Sequence, residues 1–344
     1  MAAPVRVLVV DDSAFARKVL REVLEASPYI EVVGIARDGL EALEKIAELS
    51  PDVITLDLVM PNLDGVGVLR ALPKQGGPRV VVVSISDAES ELALTALSLG
   101  AIDLVAKPTA LATDRLYELA DELVRKVRSA AGARVPAAPP SFPRQSSPPP
   151  PPRAMRHVEL VVIGTSTGGP QALTHLLTSL PASFPVPIAV ALHIPPGYTR
   201  SLARRLDEAS AIDVIEATGS HPLRPGQALI APGGQHLKIV RRDGALHSLV
   251  SSEAAPGLHA PSVDLLFESA ASAAGGSVLG VVLTGMGDDG CRGAGAIRAA
   301  GGQVLTESAD SCVVYGMPRS VVDAGFSTGS ATLEAMATLI ASRV

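Results

Sequence analysis

The stretch VVIGTSTGGP, residues 161–170, runs from apolar residues into a serine that is flanked by glycines and followed by a proline. This order predicts a buried strand that turns sharply into a helix, with the Ser166 hydroxyl exposed at the carboxyl edge of a sheet. The pentapeptide GTSTG also fits the nucleophile-elbow pattern, in which both glycines allow positive φ and leave room for a substrate carbonyl. A plain connecting turn, or a phosphate cradle at a helix N-terminus, would explain the same residues.

Size and composition point to two domains of ordinary globular character. The chain has 344 residues, is 47% hydrophobic and can supply a core for each half. Cys291 and Cys312 are too few for a disulfide framework and join no zinc-type cluster, so a reducing, cytoplasmic setting is expected. The amino terminus lacks a signal-peptide pattern and no run of 18 apolar residues occurs, so membrane insertion is not expected.

The net charge of −6 is unevenly distributed along the chain. Residues 1–132 hold 14 Lys and Arg against 20 Asp and Glu, whereas residues 133–344 hold 15 of each. Neither part has the basic excess of a nucleic-acid surface, so no nucleic-acid partner is expected. We expect the chain to be a monomer.

An abrupt change in composition separates the two halves. Nine of residues 134–152 are proline, which excludes helix and central strand. Such a segment is typical of a semi-rigid spacer that reaches about 50–60 Å when extended, although a proline-rich ligand for another domain is the alternative. The expected organisation is a first domain at residues 1–130, a linker at 131–153 and a second domain at 154–344.

The first half alternates short β-branched runs with amphipathic helical patterns, which predicts a doubly wound parallel sheet. Strands are expected at residues 5–10, 32–36, 53–56, 80–83 and 102–105. Helices are expected at about residues 14–26, 39–49, 64–72, 88–99 and 113–129.

The second half repeats this pattern with more strands, expected at residues 160–163, 186–192, 213–216, 228–231 and 278–284. Between residues 227 and 251 the pattern changes to antiparallel hairpins, because Asp243-Gly244 separates two β-type runs. We therefore predict two mainly parallel α/β domains: a flavodoxin-like one and a larger Rossmann-like one with a hairpin insertion.

Acidic residues follow two strands of the first domain. Asp11 and Asp12 follow the first strand and Asp57 follows the third, and the carboxyl ends of these strands should converge on one crevice. Three carboxylates there repel each other unless a hard cation such as Mg²⁺ lies among them. Ser84 ends the fourth strand and Lys107 follows the fifth, so the crevice is suited to accepting a phosphoryl group on Asp57. Helix capping by the aspartates, with a lysine on the surface, is the alternative.

Four segments carry a resemblance to response-regulator receiver domains: VDDS (10–13), TLDLVMPNLDG (55–65), VVVS (81–84) and AKP (106–108). The resemblance implies that Asp12, Asp57 and the backbone carbonyl of Val59 hold Mg²⁺. It also implies that a partner histidine kinase phosphorylates Asp57, and that Ser84 and Lys107 contact the phosphoryl group.

In the second domain, a nucleophilic serine would need a base, and the base an orienting carboxylate. Among seven histidines, His193 follows the apolar run VPIAVAL and should lie at the same sheet edge as Ser166. The run SVLGVVLTGMGDDG predicts another buried strand that leads to Asp288 and Asp289, between which spacing does not choose. A metal site or a capped loop is the alternative for these acids. Three further histidines are expected in loops: His221, His236 and His259.

Six segments of the second domain resemble the catalytic domain of the chemotaxis protein-glutamate methylesterase family, CheB. They are IGTSTGGPQAL (163–173), LHIPPGYTRSLARRLD (192–207), PLRPGQALIAPGGQHL (222–237), APSVDLLFESAA (260–271), LTGMGDDG (283–290) and VVYGMPRSV (313–321). The resemblance implies that Ser166 is the nucleophile, His193 the base and Asp289 the orienting acid. It places oxyanion donors at the backbone amides near Thr167 and Met286.

By this resemblance the chain is a phosphorylation-activated serine hydrolase that demethylates glutamate methyl esters of chemoreceptors and deamidates particular receptor glutamines. Ester hydrolysis needs no cofactor, and Mg²⁺ serves only the receiver. Two alternatives are a regulator whose second domain only binds a partner and a transcription factor. The set of Ser166, His193 and Asp289 argues against the first, and the neutral second half without a helix-turn-helix argues against the second.

Overall fold

Residues 3–73, 76–84, 90–107, 113–133, 157–252 and 259–344 are described by a computed structural model. They divide between two compact units, one built mainly from residues up to 133 and the other mainly from later residues. The proline-rich run at residues 134–152, most of the expected linker, lies outside the described residues, as does Pro108. Within the described ranges, no helix is both long enough and apolar enough to cross a bilayer.

In the first unit, the described residues form a parallel sheet of five strands, in the order β2-β1-β3-β4-β5. The strands are β1 (Val5–Val10), β2 (Ile30–Ala36), β3 (Val53–Leu56), β4 (Arg79–Ser84) and β5 (Asp103–Ala106). The helices are α1 (Ala14–Glu25), α2 (Gly39–Leu49), α3 (Gly65–Ala71), α4 (Ser90–Ser98) and α5 (Thr113–Ala131). This order reverses between β1 and β3, so the crevice predicted for this domain is confirmed as a topological switch point.

Polar side chains set the start of the first three helices. Ser13, Asp38 and Asp64 are their N-caps, and each accepts a hydrogen bond from a backbone amide in the first helical turn. Because Ser13 caps α1, the alternative in which Asp11 or Asp12 performs this task is wrong. Asp11 and Asp12 are therefore available to act in the crevice.

The second part of the chain forms a larger parallel sheet and a small antiparallel one. Its strands are β6 (Leu160–Thr165), β7 (Ile188–Leu192), β8 (Asp213–Glu216), β9 (Ser220–Pro222), β10 (Gln227–Ile230), β11 (His236–Arg242), β12 (Ala245–Ser251), β13 (Val278–Val282), β14 (Gln303–Glu307) and β15 (Gly329–Ala331). The parallel sheet has the order β15-β14-β13-β6-β7-β10-β8, and the antiparallel sheet has the order β11-β12-β9. Both the doubly wound class and the hairpin insertion are confirmed.

The α-helices that the described residues form beside these strands are α6 (Gly169–Thr178), α7 (Thr199–Ala209), α8 (Val263–Ala274), α9 (Cys291–Ala299), α10 (Met317–Asp323) and α11 (Leu333–Ala341). The central strands β6, β7 and β13 are buried along their whole length. Burial on both faces explains why these strands read as unbroken apolar runs in the sequence. Phe267 and Leu266 of α8 belong to the core cluster that packs against them.

The hairpin turn between β11 and β12 has the geometry that its residues predict. Asp243 has φ 49° and Gly244 has φ 82°, the pair of positive values that a tight two-residue hairpin requires. Two predictions for histidines are wrong, however. His221 lies in β9 and His236 begins β11, because each pairs with a residue of β12 in the antiparallel sheet.

Candidate active site and phosphorylation site

Ser166 lies directly after β6, at the point where the order of the larger sheet reverses. β7 pairs with one side of β6 and β13 with the other, so the crevice at this edge is a topological switch point. The Ser166 N–H donates to the Thr284 carbonyl at 3.0 Å, and the Gly169 N–H donates to the Ser166 carbonyl at 2.7 Å. The sharp strand-to-helix turn is therefore present, but Ser166 is only 8% exposed and less open than expected.

The two glycines of the GTSTG stretch have different tasks. Gly168 has φ 78°, which an L-residue adopts only with strain, and it forms the turn into α6. Gly164 lies within β6 and has no positive φ, so the prediction of positive φ on both sides is wrong for this residue. A side chain at Gly164 would overlap Val263, so this glycine lets the start of α8 approach the strand.

His193 follows β7, and the register between β6 and β7 places it beside Ser166. Thr165 pairs with Leu192, and the His193 N–H donates to the Thr165 carbonyl at 3.1 Å. Ser166 and His193 are therefore the next residues on neighbouring strands, which run about 4.8 Å apart. The His193 ring also packs on the His259 ring, with centroids 4.2 Å apart.

The Asp289 carboxylate holds the far side of the His193 ring, with Oδ2 2.8 Å from Nε2. Asp288, its neighbour, is exposed. Of the two acids that spacing left open, Asp289 is thus the one in contact with His193. Since Nε2 faces Asp289, Nδ1 is the ring nitrogen left for a serine.

The amino end of α8 receives the Asp289 side chain. The Val263 N–H donates to Oδ2 at 2.8 Å, and Oδ1 accepts from the Asp264 N–H at 2.9 Å and the Ser262 hydroxyl at 3.1 Å. Burial raises the pKa of Asp289, but the hydrogen bond and charge of His193 and the two amides outweigh it, and the pKa is about 2. The carboxylate is thereby kept ionised beside the imidazole.

This depressed pKa predicts an acid-dependent loss of stability. The ordinary value is 3.8 and the folded value about 2, so ionised Asp289 stabilises the fold above about pH 4 and loses that effect as the pH falls towards 2. A shift of this size corresponds to roughly 2 kcal/mol. Urea unfolding gives the free energy of unfolding of the parent and of Asp289→Asn between about pH 5 and pH 2. The difference between the two free energies should shrink as the pH falls. A constant difference would contradict the assignment of this pKa.

The two oxyanion candidates come from the elbow and from the loop after β13. Thr167 follows it in the elbow and is buried, and Met286 belongs to the loop after β13. Gly285 packs so closely against the elbow that a Cβ there would come within 2.8 Å of the Ser166 Cβ. Gly285, the residue before Met286, is therefore next to the serine.

The carboxyl edge of the first sheet brings together the five residues expected there. Carboxylate oxygens of Asp11, Asp12 and Asp57 lie within 4.8 Å of one another. Lys107 Nζ lies 2.9 Å from Asp11 Oδ2 and 2.7 Å from Asp57 Oδ2. Ser84 is buried at the end of β4, and its carbonyl accepts from the Lys107 N–H at 2.7 Å.

The charge balance of this crevice fits a divalent cation. Burial raises the pKa of Asp57 to about 6, with a further contribution from Asp11, although Lys107 and the Leu58 N–H act in the opposite direction. Three carboxylates and one ammonium leave negative charge on hard oxygen ligands, which is the donor set that Mg²⁺ prefers. Val59 lies in the loop after β3 with its side chain exposed.

The hydrogen bond from the Ser262 hydroxyl to Asp289 was not predicted. Ser262 is fully buried, caps α8 and hydrogen-bonds Asp289. A serine before an apolar run is a recognised helix start, so its capping role was readable from the sequence. Its contact with Asp289, 27 residues later, depends on the packing of α8 against β6 and had no local signal.

The first unit, with an acidic crevice in a sheet of order 2-1-3-4-5, is of the response-regulator type. The second unit, with Ser, His and Asp at the switch point of its sheet, is of the serine-hydrolase type. Residues 161–340 match the family described as CheB methylesterase, and residues 7–120 match the response regulator receiver domain. The chain belongs to the CheB methylesterase family.

Similar proteins align with almost the whole chain. Protein-glutamate methylesterase/protein-glutamine glutaminase 5 of Myxococcus xanthus is 60% identical over 343 residues, spanning 99% of this chain and 98% of that protein. The Thermotoga maritima protein of the same name, without a number, is 40% identical and spans 94% and 93%. The solved CheB methylesterase catalytic domain of Thermotoga maritima covers 55% of this chain and 100% of its own, at 37% identity and a TM-score of 0.53.

Proposed function

We propose that this protein is a phosphorylation-activated serine hydrolase that demethylates glutamate methyl esters on chemoreceptors and deamidates specific receptor glutamines. The observation that carries the proposal is the 2.8 Å contact between His193 and Asp289, beside Ser166 at the switch point of the sheet. The family membership of both parts of the chain supports the same function. The proposed domains are residues 1–130 and 154–344, and the division of the chain into two compact units supports this boundary.

In the proposed reaction, Ser166 Oγ attacks the ester carbonyl while His193 Nδ1 takes the hydroxyl proton. Asp289 holds the tautomer that leaves Nδ1 free and stabilises the imidazolium. Backbone amides at Thr167 and Met286 stabilise the oxyanion of the tetrahedral intermediate. His193 then gives this proton to the departing methoxy oxygen, which leaves as methanol, or to the departing amide nitrogen of a glutamine, which leaves as ammonia. Water, activated by the same histidine, then releases the receptor glutamate.

The first unit supplies the control. A histidine kinase of the chemotaxis type transfers a phosphoryl group to Asp57, and Asp11, Asp12, Asp57 and the carbonyl of Val59 hold Mg²⁺. When bound, the ion neutralises charge between the carboxylates and the incoming phosphoryl oxygens. Lys107, which pairs with Asp57 here, and Ser84 at the neighbouring strand end contact the phosphoryl group and bias the receiver to its active state.

Asp57→Asn should leave the full chain at its unphosphorylated rate when an acyl-phosphate donor and Mg²⁺ are added, because the amide cannot form an acyl phosphate. The parent should accelerate under the same conditions, and removal of Mg²⁺ with a chelator should prevent this. The measurement is methanol release from methylated chemoreceptor membranes.

Asp52→Asn is the matched control. Asp52 precedes β3 at the opposite edge of the sheet and accepts a hydrogen bond from the Arg6 N–H at 2.8 Å. This variant should respond to the donor as the parent does. Acceleration of Asp57→Asn would show that phosphorylation acts elsewhere.

A further inference from the structure

Glu307, the last residue of β14, is a fully buried acid that the proposed reaction does not use. Its Oε2 accepts the Thr284 N–H at 2.8 Å, and its Oε1 accepts the Ser311 hydroxyl at 2.9 Å. Among the residues that the structure describes, no lysine, arginine or histidine forms an ion pair with it. Burial raises the pKa of Glu307, and the bonds from Thr284 and Ser311 oppose that rise. Burying a charge without a cation beside it costs free energy. The presence of an acid at this buried position therefore calls for a structural reason.

Thr284 connects this acid to the nucleophile elbow. Its carbonyl accepts the Ser166 N–H at 3.0 Å and the Thr165 hydroxyl at 2.7 Å. Its own hydroxyl donates to the Thr167 carbonyl at 3.0 Å. Three successive residues of the elbow are thus held by one threonine, whose N–H is in turn held by Glu307.

The same threonine begins the loop that carries the other active-site groups. Gly285 follows it, donates to the Val314 carbonyl at 3.0 Å and accepts from the Gly316 and Met317 amides. Met286 and Asp289 lie further along this loop. A shift of the backbone at Thr284 would therefore move the serine and the proposed oxyanion amide together.

We propose that Glu307 is a positioning residue for acylation: its carboxylate fixes the Thr284 amide and so aligns Ser166 with His193 and the oxyanion donors. Glu307 acts through Thr284 and touches no substrate. The inference rests on the proposed nucleophilic role of Ser166.

The two hydrogen bonds that Glu307 accepts, one at each oxygen, favour a carboxylate at this position. A carboxylate accepts hydrogen bonds at both oxygens. A glutamine has a single acceptor oxygen and would turn an N–H₂ group towards Ser311, so the Ser311 O–H, which donates to Glu307 Oε1 at 2.9 Å, would lose its acceptor. A glutamine therefore preserves the bond to Thr284 only by disturbing the one to Ser311. Because displacement of a reacting group by about 1 Å can cost ~100-fold in rate, small shifts here should be measurable.

The test uses the full chain and the rate of covalent labelling of Ser166 by a small fluorophosphonate, followed by intact-mass spectrometry. We expect labelling to slow ~10-fold in Glu307→Gln and ~100-fold in Glu307→Ala, as misplacement of the nucleophile predicts. The kcat of methanol release should fall in parallel, with the KM for receptor unchanged. Thermal unfolding by circular dichroism reports the fold, and if Glu307→Ala does not fold, Glu307→Gln decides alone.

Thr306→Val is the matched control. Thr306 is the preceding residue of the same strand, is equally buried, and its hydroxyl pairs with the Ser327 hydroxyl at 2.9 Å, away from the elbow. Its loss should lower the unfolding temperature while labelling stays within about twofold of the parent.

Two results would overturn the proposal: unchanged labelling in the folded Glu307 variants, or equal slowing in Thr306→Val. Peptide mapping of the label keeps the two hypotheses apart. Label on a residue other than Ser166 would refute the proposed nucleophile, whereas label on Ser166 with unchanged rates would refute only the role of Glu307.

Discussion

Replacing Ser166 with alanine should abolish demethylation and leave the fold intact. The turn is held by the backbone of Ser166, whose N–H and carbonyl bond Thr284 and Gly169, so the hydroxyl contributes little to the elbow. Loss of the nucleophile from a catalytic triad removes most of the rate enhancement, and we expect a fall of at least ~10³-fold. Methanol release from methylated receptors measures the activity, and circular dichroism measures the fold.

Ser179→Ala is the matched control for this change. Ser179 caps the other end of α6, and its hydroxyl donates to the His175 carbonyl at 2.7 Å. Removing that hydroxyl should leave methanol release unchanged. Near-parental release by the folded Ser166→Ala variant would mean that another group is the nucleophile.

Exchange of the adjacent acids should separate their roles. Asp289→Asn should lower kcat by ~10²–10⁴-fold, because an amide does not hold the His193 tautomer that a carboxylate selects. Asp288→Asn changes the same charge one residue earlier, on an exposed side chain, and should retain activity within about twofold of the parent. The kcat of the two purified variants on methylated receptor gives the comparison. Greater damage in Asp288→Asn would reverse the assignment.

The sequence predicted the parts of the fold that are buried on both faces. The apolar run before Ser166 and the one before His193 correspond to β6 and β7, because strands buried on both faces carry few polar residues. β14 and β15 were missed. β14 (QVLTE) has only two apolar residues in a row between polar ones, and β15 (GSA) has only three residues, so neither carries the apolar run by which the other strands were recognised.

The candidate site was predictable where a residue sits at the end of a recognisable strand. Ser166, His193 and the Asp288–Asp289 pair meet that condition, and so do Asp57 and Lys107. The choice of Asp289 by geometry required the contact with His193 across 96 positions of the chain. Glu307 remained undetected because its strand was not predicted, and because its partner Thr284 is 23 residues away.

The most direct test of a phosphorylation-controlled esterase at Ser166 is the rate of methanol release from chemoreceptors that carry isotopically labelled methyl esters. The parent chain and Ser166→Ala are each assayed with and without an acyl-phosphate donor and Mg²⁺. The parent should release labelled methanol and do so faster with the donor, and Ser166→Ala should release none above the uncatalysed rate in either condition. Release by Ser166→Ala at the parental rate, or a parent that hydrolyses no ester in either condition, would contradict this function.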